Sequence, residues 1–216
     1  MKPRGNKTLV QSDFDGTITS KDVAFLILDR FAPSDWRKLY EEYRQDKIKV
    51  GEFTRRAFAL VHAGKNEILD YVRHHLELRA GLPELVQTCR ERGFRFVIVS
   101  NGLDFYIETI LNDLGLRDIE FHAAETRFNP RGLEVRYVSP AGEELEDAFK
   151  EAYTRLFLSQ GYRTVYVGDG YSDFSAANLA HHVFAIDRLL EHCQTVKRDC
   201  VPFRDLKDIA GAIRRL

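Results

Sequence analysis

The chain of 216 residues has the length of one domain, or of a core with a small inserted module, and can bury a hydrophobic core without covalent staples. Hydrophobic residues make up 44% and charged residues 30%, the balance of a soluble globular protein. Lys and Arg number 32 against 33 Asp and Glu, a formal net charge of −1 with no basic block, which argues against nucleic acid or an anionic membrane as partner.

From the N-terminus, Met1-Lys2-Pro3-Arg4-Gly5-Asn6-Lys7 is basic, but the apolar run behind it meets Gln11 and Asp13 too soon for a signal peptide or membrane span. A cytoplasmic protein is expected. Residues 8–12 are β-rich and lead into Asp13-Phe14-Asp15-Gly16-Thr17. Residues 21–79 then hold no convincing strand. Residues 22–31 are apolar on one face, Pro33-Ser34-Asp35 reads as a helix start with Ser34 as cap, and 50–61 and 66–78 are helical, split by Ala63-Gly64-Lys65.

Beyond residue 80, helical periods cover 82–92, 104–114, 143–159 and 172–180. Between them lie β-rich runs at 94–99, leading into Ser100-Asn101-Gly102, and at 164–167, leading into Gly168-Asp169-Gly170. Weaker strands fall at 119–124 and 183–186, and Asn129-Pro130-Arg131-Gly132 reads as a turn between two short strands within 127–139. Strands alternating with helices predict an α/β fold, a doubly wound parallel sheet formed by 1–20 and 80–216, with 21–79 as a helical cap above the strand ends. Ligands of such sheets gather at the carboxyl ends of the strands, where all three polar clusters fall.

Asp13 and Asp15 form a carboxylate pair at a strand end. Beside a divalent cation one can attack phosphorus while the other, its protonated form favoured by the neighbouring charge, moves protons. Gly16 permits a tight turn, and the Thr17 hydroxyl can orient a carboxylate or phosphate. The plainer alternative is an Asp-Gly turn capping the next helix. Ser100, Asn101 and Gly102 offer a hydroxyl, an amide and backbone N–H groups as a phosphate cradle, and are equally ordinary turn residues. Lys150 can neutralise phosphate and nucleophile together, although the sequence by itself favours a solvated lysine. Asp169 suits a magnesium ligand, and Asp173 suits an acid holding Lys150 or a metal-bound water, or a helix cap.

The order DxDGT, Ser-Asn-Gly, Lys and GDGxxD over nearly the whole chain resembles the haloacid dehalogenase (HAD) type phosphatases, which have a Rossmann-like core. The resemblance implies Asp13 as nucleophile and Asp15 as general acid/base. It also implies Mg2+ held by Asp13, the Asp15 carbonyl and Asp169, with Ser100 and Lys150 on the transferring phosphate. The helical insertion after the first motif resembles the phosphoserine phosphatase branch, in which Asp22 sits within reach of substrate. Phe31-Ala32-Pro33-Ser34-Asp35-Trp36 and Gly102-Leu103-Asp104-Phe105-Tyr106 resemble the methionine-salvage enzymes that act on 2-hydroxy-3-keto-5-methylthiopentenyl-1-phosphate. One stretch departs from them: Ser139-Pro140-Ala141-Gly142-Glu143-Glu144 has no cysteine where those enzymes are cysteine-rich.

The expectation is a hydrolase acting on a small phosphomonoester as monomer or homodimer. Rival readings are phosphoserine phosphatase, a phosphotransferase to a second alcohol, and a non-catalytic binder of phosphorylated metabolites. The remaining residues read blandly. Cys89, Cys193 and Cys200, an odd number without CxxC spacing, read as free thiols. His181, His182 and His192 match no zinc pattern. Trp36, Tyr40 and Tyr43 read as packing rather than a substrate wall, and Arg55, Arg56, His74 and His75 as a solvated surface.

Overall fold

A computed structural model describes residues 7–33 and 35–216. The expected cap Ser34 and the basic start at residues 1–6 lie outside the described residues. After β1 (Lys7–Ser12) come four helices, α1 (Val23–Phe31), α2 (Trp36–Arg44), α3 (Val50–Phe58) and α4 (Lys65–His75), then α5 (Leu82–Glu91) and β2 (Arg95–Leu103). The chain continues through α6 (Asp104–Asp113), β3 (Glu120–Asn129), β4 (Gly132–Val138), β5 (Glu144–Leu145), α7 (Phe149–Ser159) and β6 (Tyr162–Gly168). A 3-10 turn at Tyr171–Asp173 opens α8 (Phe174–Leu179), and β7 (His182–Ala185), α9 (Asp187–Thr195), β8 (Val201–Pro202) and α10 (Leu206–Ile213) complete the fold.

The eight strands form one sheet in the order β5-β4-β3-β2-β1-β6-β7-β8. Pairing is parallel from β3 through β8 and antiparallel where β4 and β5 fold back beside β3. The central strands are buried on both faces, so Leu9-Val10, Val97-Ile98-Val99 and Val165-Tyr166-Val167 are continuous apolar runs rather than alternating ones. From β1 the chain winds one way to β2 and β3, then returns to β6 on the other side of β1. The order reverses at β1, where a doubly wound sheet opens its ligand crevice.

Helices α1–α4 leave and rejoin the sheet through two zipped linkers. Ser20 N–H donates to Glu77 O at 2.8 Å, Arg79 N–H donates to Ile18 O at 2.9 Å, and Thr19 and Leu78 form an antiparallel bridge. Helix α3 also docks on the β4–β5 region, where Gly51 N–H donates to Glu146 O at 2.9 Å and the Tyr137 hydroxyl lies 3.1 Å from Thr54 Oγ1.

Three features differ from the sequence reading. The helix expected from residue 143 starts at Phe149, because Glu144–Leu145 pairs with β4 and Ala148 turns the chain at φ +58°. Helices α9 and α10 and the two-residue β8 were not foreseen. Cys193 and Cys200, whose Cα atoms are 6.2 Å apart, are disulfide-bonded across the loop between α9 and β8, and buried Cys89 is the free cysteine. The odd count therefore reflects one pair and one core residue rather than three free thiols.

Candidate active site

Strand register brings the polar clusters together. Ser12 pairs with Ile98 of β2 and with Val167 of β6, so Asp13, Ser100 and Asp169 emerge side by side just past these positions. Asp13 N–H still donates to Val167 O at 2.9 Å, which fixes the first residue beyond β1. The chain then turns at Gly16, φ +76°, where a Cβ would run into the Asp169 carboxylate. Fully buried Thr17 donates from its hydroxyl to Asp169 Oδ1 at 2.6 Å, so of its two expected partners the carboxylate is the one it touches.

Lys150, in the first turn of α7, is 2% exposed and therefore no solvated lysine. Its ammonium donates to Asp13 Oδ2 at 2.5 Å, Asp173 Oδ1 at 2.6 Å and Ser172 Oγ at 2.8 Å, which uses all three protons. Asp13 Oδ1 accepts from Phe14 N–H at 2.6 Å, so both carboxylate oxygens of Asp13 are held. Asp173 is saturated: Oδ1 also accepts from the Tyr166 hydroxyl at 2.6 Å, and Oδ2 accepts from the N–H groups of Asp169 and Gly170 at 2.9 and 2.8 Å. It both holds the lysine and closes the loop that opens α8, combining its two expected roles.

Asp15 points toward the helical insertion. Its Oδ2 accepts from the hydroxyl of fully buried Tyr106, and Oδ1 accepts from Val23 N–H at 3.1 Å at the start of α1. Asp22 caps α1 through Phe25 N–H at 2.8 Å and lines the same cavity. Ser100 is buried, with Oγ accepting from Gly102 N–H at 3.0 Å, and a Cβ on Gly102 would strike Tyr106 and Asp15. Asn101 lines the cavity, its carbonyl accepting from the Tyr137 hydroxyl at 2.6 Å.

Burial dominates the electrostatics. It raises Asp13 from 3.8 to about 6 against the pull of Lys150. Burial likewise raises Asp22 to about 6 and lifts Asp15 well above the carboxylate range, the latter helped by the charge of Asp22. Asp169 is displaced upward by burial and then by Asp173 and Asp13. For Lys150 burial acts downward, but Asp13 and Asp173 outweigh it and hold the ammonium protonated.

One lysine among these carboxylates leaves an excess of buried negative charge. Oxygens of Asp13, Asp169 and Asp173 lie within 4.8 Å of one another. Because the lone pairs of Asp173 are already taken by protein donors, Asp13 and Asp169 are the members open to the cavity. The Asp15 carbonyl accepts no hydrogen bond among the described residues. Such an all-oxygen set fits a hard divalent cation of the magnesium type.

Above this floor the cavity, about 440 Å³, is walled by α1–α3. Phe25, Tyr40, Tyr43 and Phe53 form an aromatic cluster, with Phe25 to Tyr40 at 4.7 Å edge-on and Tyr43 stacked on Phe53 at 5.7 Å. Trp36 is buried packing, as expected, but Tyr40 and Tyr43 line the cavity as a wall. Half-buried Arg55 and exposed Arg56 are paired with Glu146 and Glu52, and exposed His74 and His75 sit on backbone carbonyls of α4. His192 stacks on Phe174 at 3.8 Å. Sequence reasoning gave no role to Tyr106, Tyr137 or Arg79. Tyr106 stands in a quoted motif, but no spacing signals its contact 91 residues away.

A family model described as haloacid dehalogenase-like hydrolase matches residues 10–178. The chain is 31% identical over 209 residues to 2-hydroxy-3-keto-5-methylthiopentenyl-1-phosphate phosphatase of Geobacillus kaustophilus, covering 94% of each. It is 27% identical over 214 residues to the protein of the same name from Brevibacillus brevis, covering 97% of this chain and 96% of that one. Its fold is like that of phosphoserine phosphatase from T. onnurineus, with a TM-score of 0.72 at 21% identity over 100% of this chain and 98% of the other.

Proposed function

The chain belongs to the haloacid dehalogenase-like hydrolases, and we propose that it is a magnesium-dependent phosphatase that cleaves 2-hydroxy-3-keto-5-methylthiopentenyl-1-phosphate through a phosphorylated Asp13. The observation that carries the chemistry is the buried Asp13–Lys150–Asp173 unit on the cavity floor. The aromatic wall and the names of the curated relatives support the substrate, whose methylthio tail suits an apolar surface. In the same reading residues 21–79 are a cap on a core of 1–20 and 80–216. It also carries a cytoplasmic location, against which the Cys193–Cys200 bond speaks.

Asp13 attacks phosphorus, the bond from phosphorus to the leaving oxygen breaks, and Asp15 delivers a proton to that oxygen. Burial favours the protonated acid this needs, and the Tyr106 hydroxyl can donate to the carboxylate or accept from the acid, so it serves both states. Asp15 then takes a proton from water as the water oxygen attacks the aspartyl-phosphate, releasing phosphate and restoring Asp13. Lys150 offsets charge on nucleophile and phosphoryl group, and the Ser100 hydroxyl keeps its proton for a phosphate oxygen. Asp13, Asp169 and the Asp15 carbonyl would hold Mg2+, which supplies charge neutralisation on the phosphoryl oxygens.

Phosphoserine hydrolysis is the second reading, supported by the fold likeness. The cavity's cations other than Lys150, Arg44 and Arg188, are exposed and paired with Glu41 and Glu191, which offers little to a substrate carboxylate. Phosphate release with Mg2+ across the enol phosphate, phosphoserine and sugar phosphates decides between them, with Asp13→Asn as the blank. The enol phosphate is expected to lead and Asp13→Asn to be inactive. Normal turnover in Asp13→Asn would sink the mechanism, and a lead by phosphoserine would sink the substrate.

A further inference from the structure

Arg79, on the returning linker, bonds the loop that carries Asp13 and Asp15 through both its backbone and its side chain. Its guanidinium makes three hydrogen bonds, all to backbone carbonyls: Nη2 to Gly16 O at 2.9 Å, Nε to Thr17 O at 3.1 Å and Nη1 to Arg204 O at 3.0 Å. Its Cζ lies 5.8 Å from the centre of the ring of buried Phe203. No carboxylate pairs with it among the described residues. A full positive charge is thus used solely to hold three carbonyls, two of them on the loop after the nucleophile.

We propose that Arg79 is a positioning residue for the metal-binding face of the site, acting through Gly16 and Thr17 on Asp169. The inference rests on the metal site described above. Each peptide unit is planar, so fixing the carbonyls of Gly16 and Thr17 also fixes the two planes that flank the Cα of Thr17. Thr17 is thereby aimed at Asp169 Oδ1, 2.6 Å away. The backbone of Asp169 is set independently, since its N–H donates to Asp173 Oδ2 at 2.9 Å and its carbonyl accepts from Leu189 N–H at 2.8 Å. The side-chain rotation is therefore governed by Thr17, which lies between Arg79 and the carboxylate. Gly16 closes the arrangement from below, because its missing Cβ is what lets Asp169 lie against the loop.

The chemistry demands arginine. A planar fork reaches two successive carbonyls and a third at the far side, whereas an ammonium on a flexible stem meets such a set only by sacrificing one of them. The same fork joins three segments far apart in sequence: the nucleophile loop, the linker closing the helical insertion, and the residues ahead of α10, where Leu206 N–H donates to Ala80 O at 2.8 Å. Metal affinity is thereby tied to the return linker of the insertion.

The test is direct Mn2+ binding to metal-free full-length protein by calorimetry, for wild type, Arg79→Lys and Arg79→Met, with melting temperature and turnover alongside. Both variants are expected to bind Mn2+ roughly 10-fold or more weakly, the scale on which groups orienting a metal ligand act. Arg79→Lys should melt close to wild type, and methylguanidinium should restore part of the affinity of Arg79→Met. A role in folding alone would lower the melting temperature and leave the dissociation constant of the folded fraction unchanged, and that result overturns the inference. If Arg79→Met does not fold, unchanged affinity in Arg79→Lys overturns it equally. Wild-type protein that binds no Mn2+ would remove the metal site itself and the inference with it, whereas tight wild-type binding with unaltered variants removes Arg79 alone.

Discussion

The floor and the roof bound one cavity but are held by different forces. On the floor, Asp13, Lys150 and Asp173 are buried charges held by directed hydrogen bonds of 2.5–2.9 Å. In the roof, Phe25, Tyr40, Tyr43 and Phe53 meet at ring separations of 4.7–6.5 Å with no fixed donor or acceptor between them. Buried charge is intolerant of loss, because removing one partner leaves the other unpaired in a medium that cannot solvate it. Packed rings yield by degrees, because apolar groups of similar volume replace one another at small cost. Damage to the floor should therefore abolish chemistry, and damage to the roof should alter preference.

The sharpest way to break this distinction is Lys150→Met. It leaves Asp13 and Asp173 buried beside each other without their common cation. Turnover is expected to fall about 100- to 1,000-fold, and stability at neutral pH by about 3–5 kcal/mol, with part of the stability regained near pH 5 as Asp13, already raised by burial, takes up a proton. Steady-state kinetics and melting curves at the two pH values check it. Turnover within a few-fold of wild type would mean that the buried lysine serves the fold and not the reaction.

Phe53→Leu probes the roof with a smaller change. Its ring contacts Phe25, Tyr40 and Tyr43 above the cavity, and a leucine keeps the apolar character while opening one side. KM for the enol phosphate is expected to rise roughly 5- to 10-fold, the worth of one to two buried methylenes at about 0.8 kcal/mol each, with kcat nearly unchanged. Turnover of acetyl phosphate, which has no apolar tail, should stay within about twofold. Equal losses on both substrates would show that the roof acts on chemistry and would erase the distinction.

The same division governs what could be read from the sequence. Asp13 and Asp15 ahead of Gly16, and Asp169 and Asp173 in the stretch opened by Gly168 and Gly170, announce themselves because they follow the ends of apolar runs, and a parallel sheet brings such ends together whatever the details of its register. Lys150 does not, since an amphipathic helix period cannot tell a lysine turned toward the sheet from one turned toward water. Tyr40 and Tyr43 were misread for a related reason: helical spacing places them on one face but does not say whether that face meets protein or cavity. Arg79 and Tyr106 act across 62 and 91 residues of chain, and no local pattern encodes such a contact. The strands β5 and β8 are two residues long, too short to show any alternation.

The smallest expected effect needs no mutation and tests whether the floor is as short of positive charge as its contacts indicate. Burial raises the carboxyls of Asp13 and Asp22 from 3.8 to about 6 in the metal-free protein. The folded state therefore holds these protons more tightly than the unfolded chain does, and the resulting stabilisation is fully present below about pH 4 and is lost as pH rises through about 6. Asp15 and Asp169 are displaced in the same direction and add to the slope. His122 and His182, both lowered by burial, oppose it, but they are two groups against four. The metal-free protein is expected to melt about 5 °C or more lower at pH 7.5 than at pH 5.5. Saturating Mg2+ should flatten that slope, because a cation bound by Asp13 and Asp169 replaces the protons they would otherwise need, while leaving the contribution of Asp22 in place. A metal-free protein whose melting temperature rises across this range would mean that the floor already carries its compensating charge, and the contrast with the roof would rest on geometry alone.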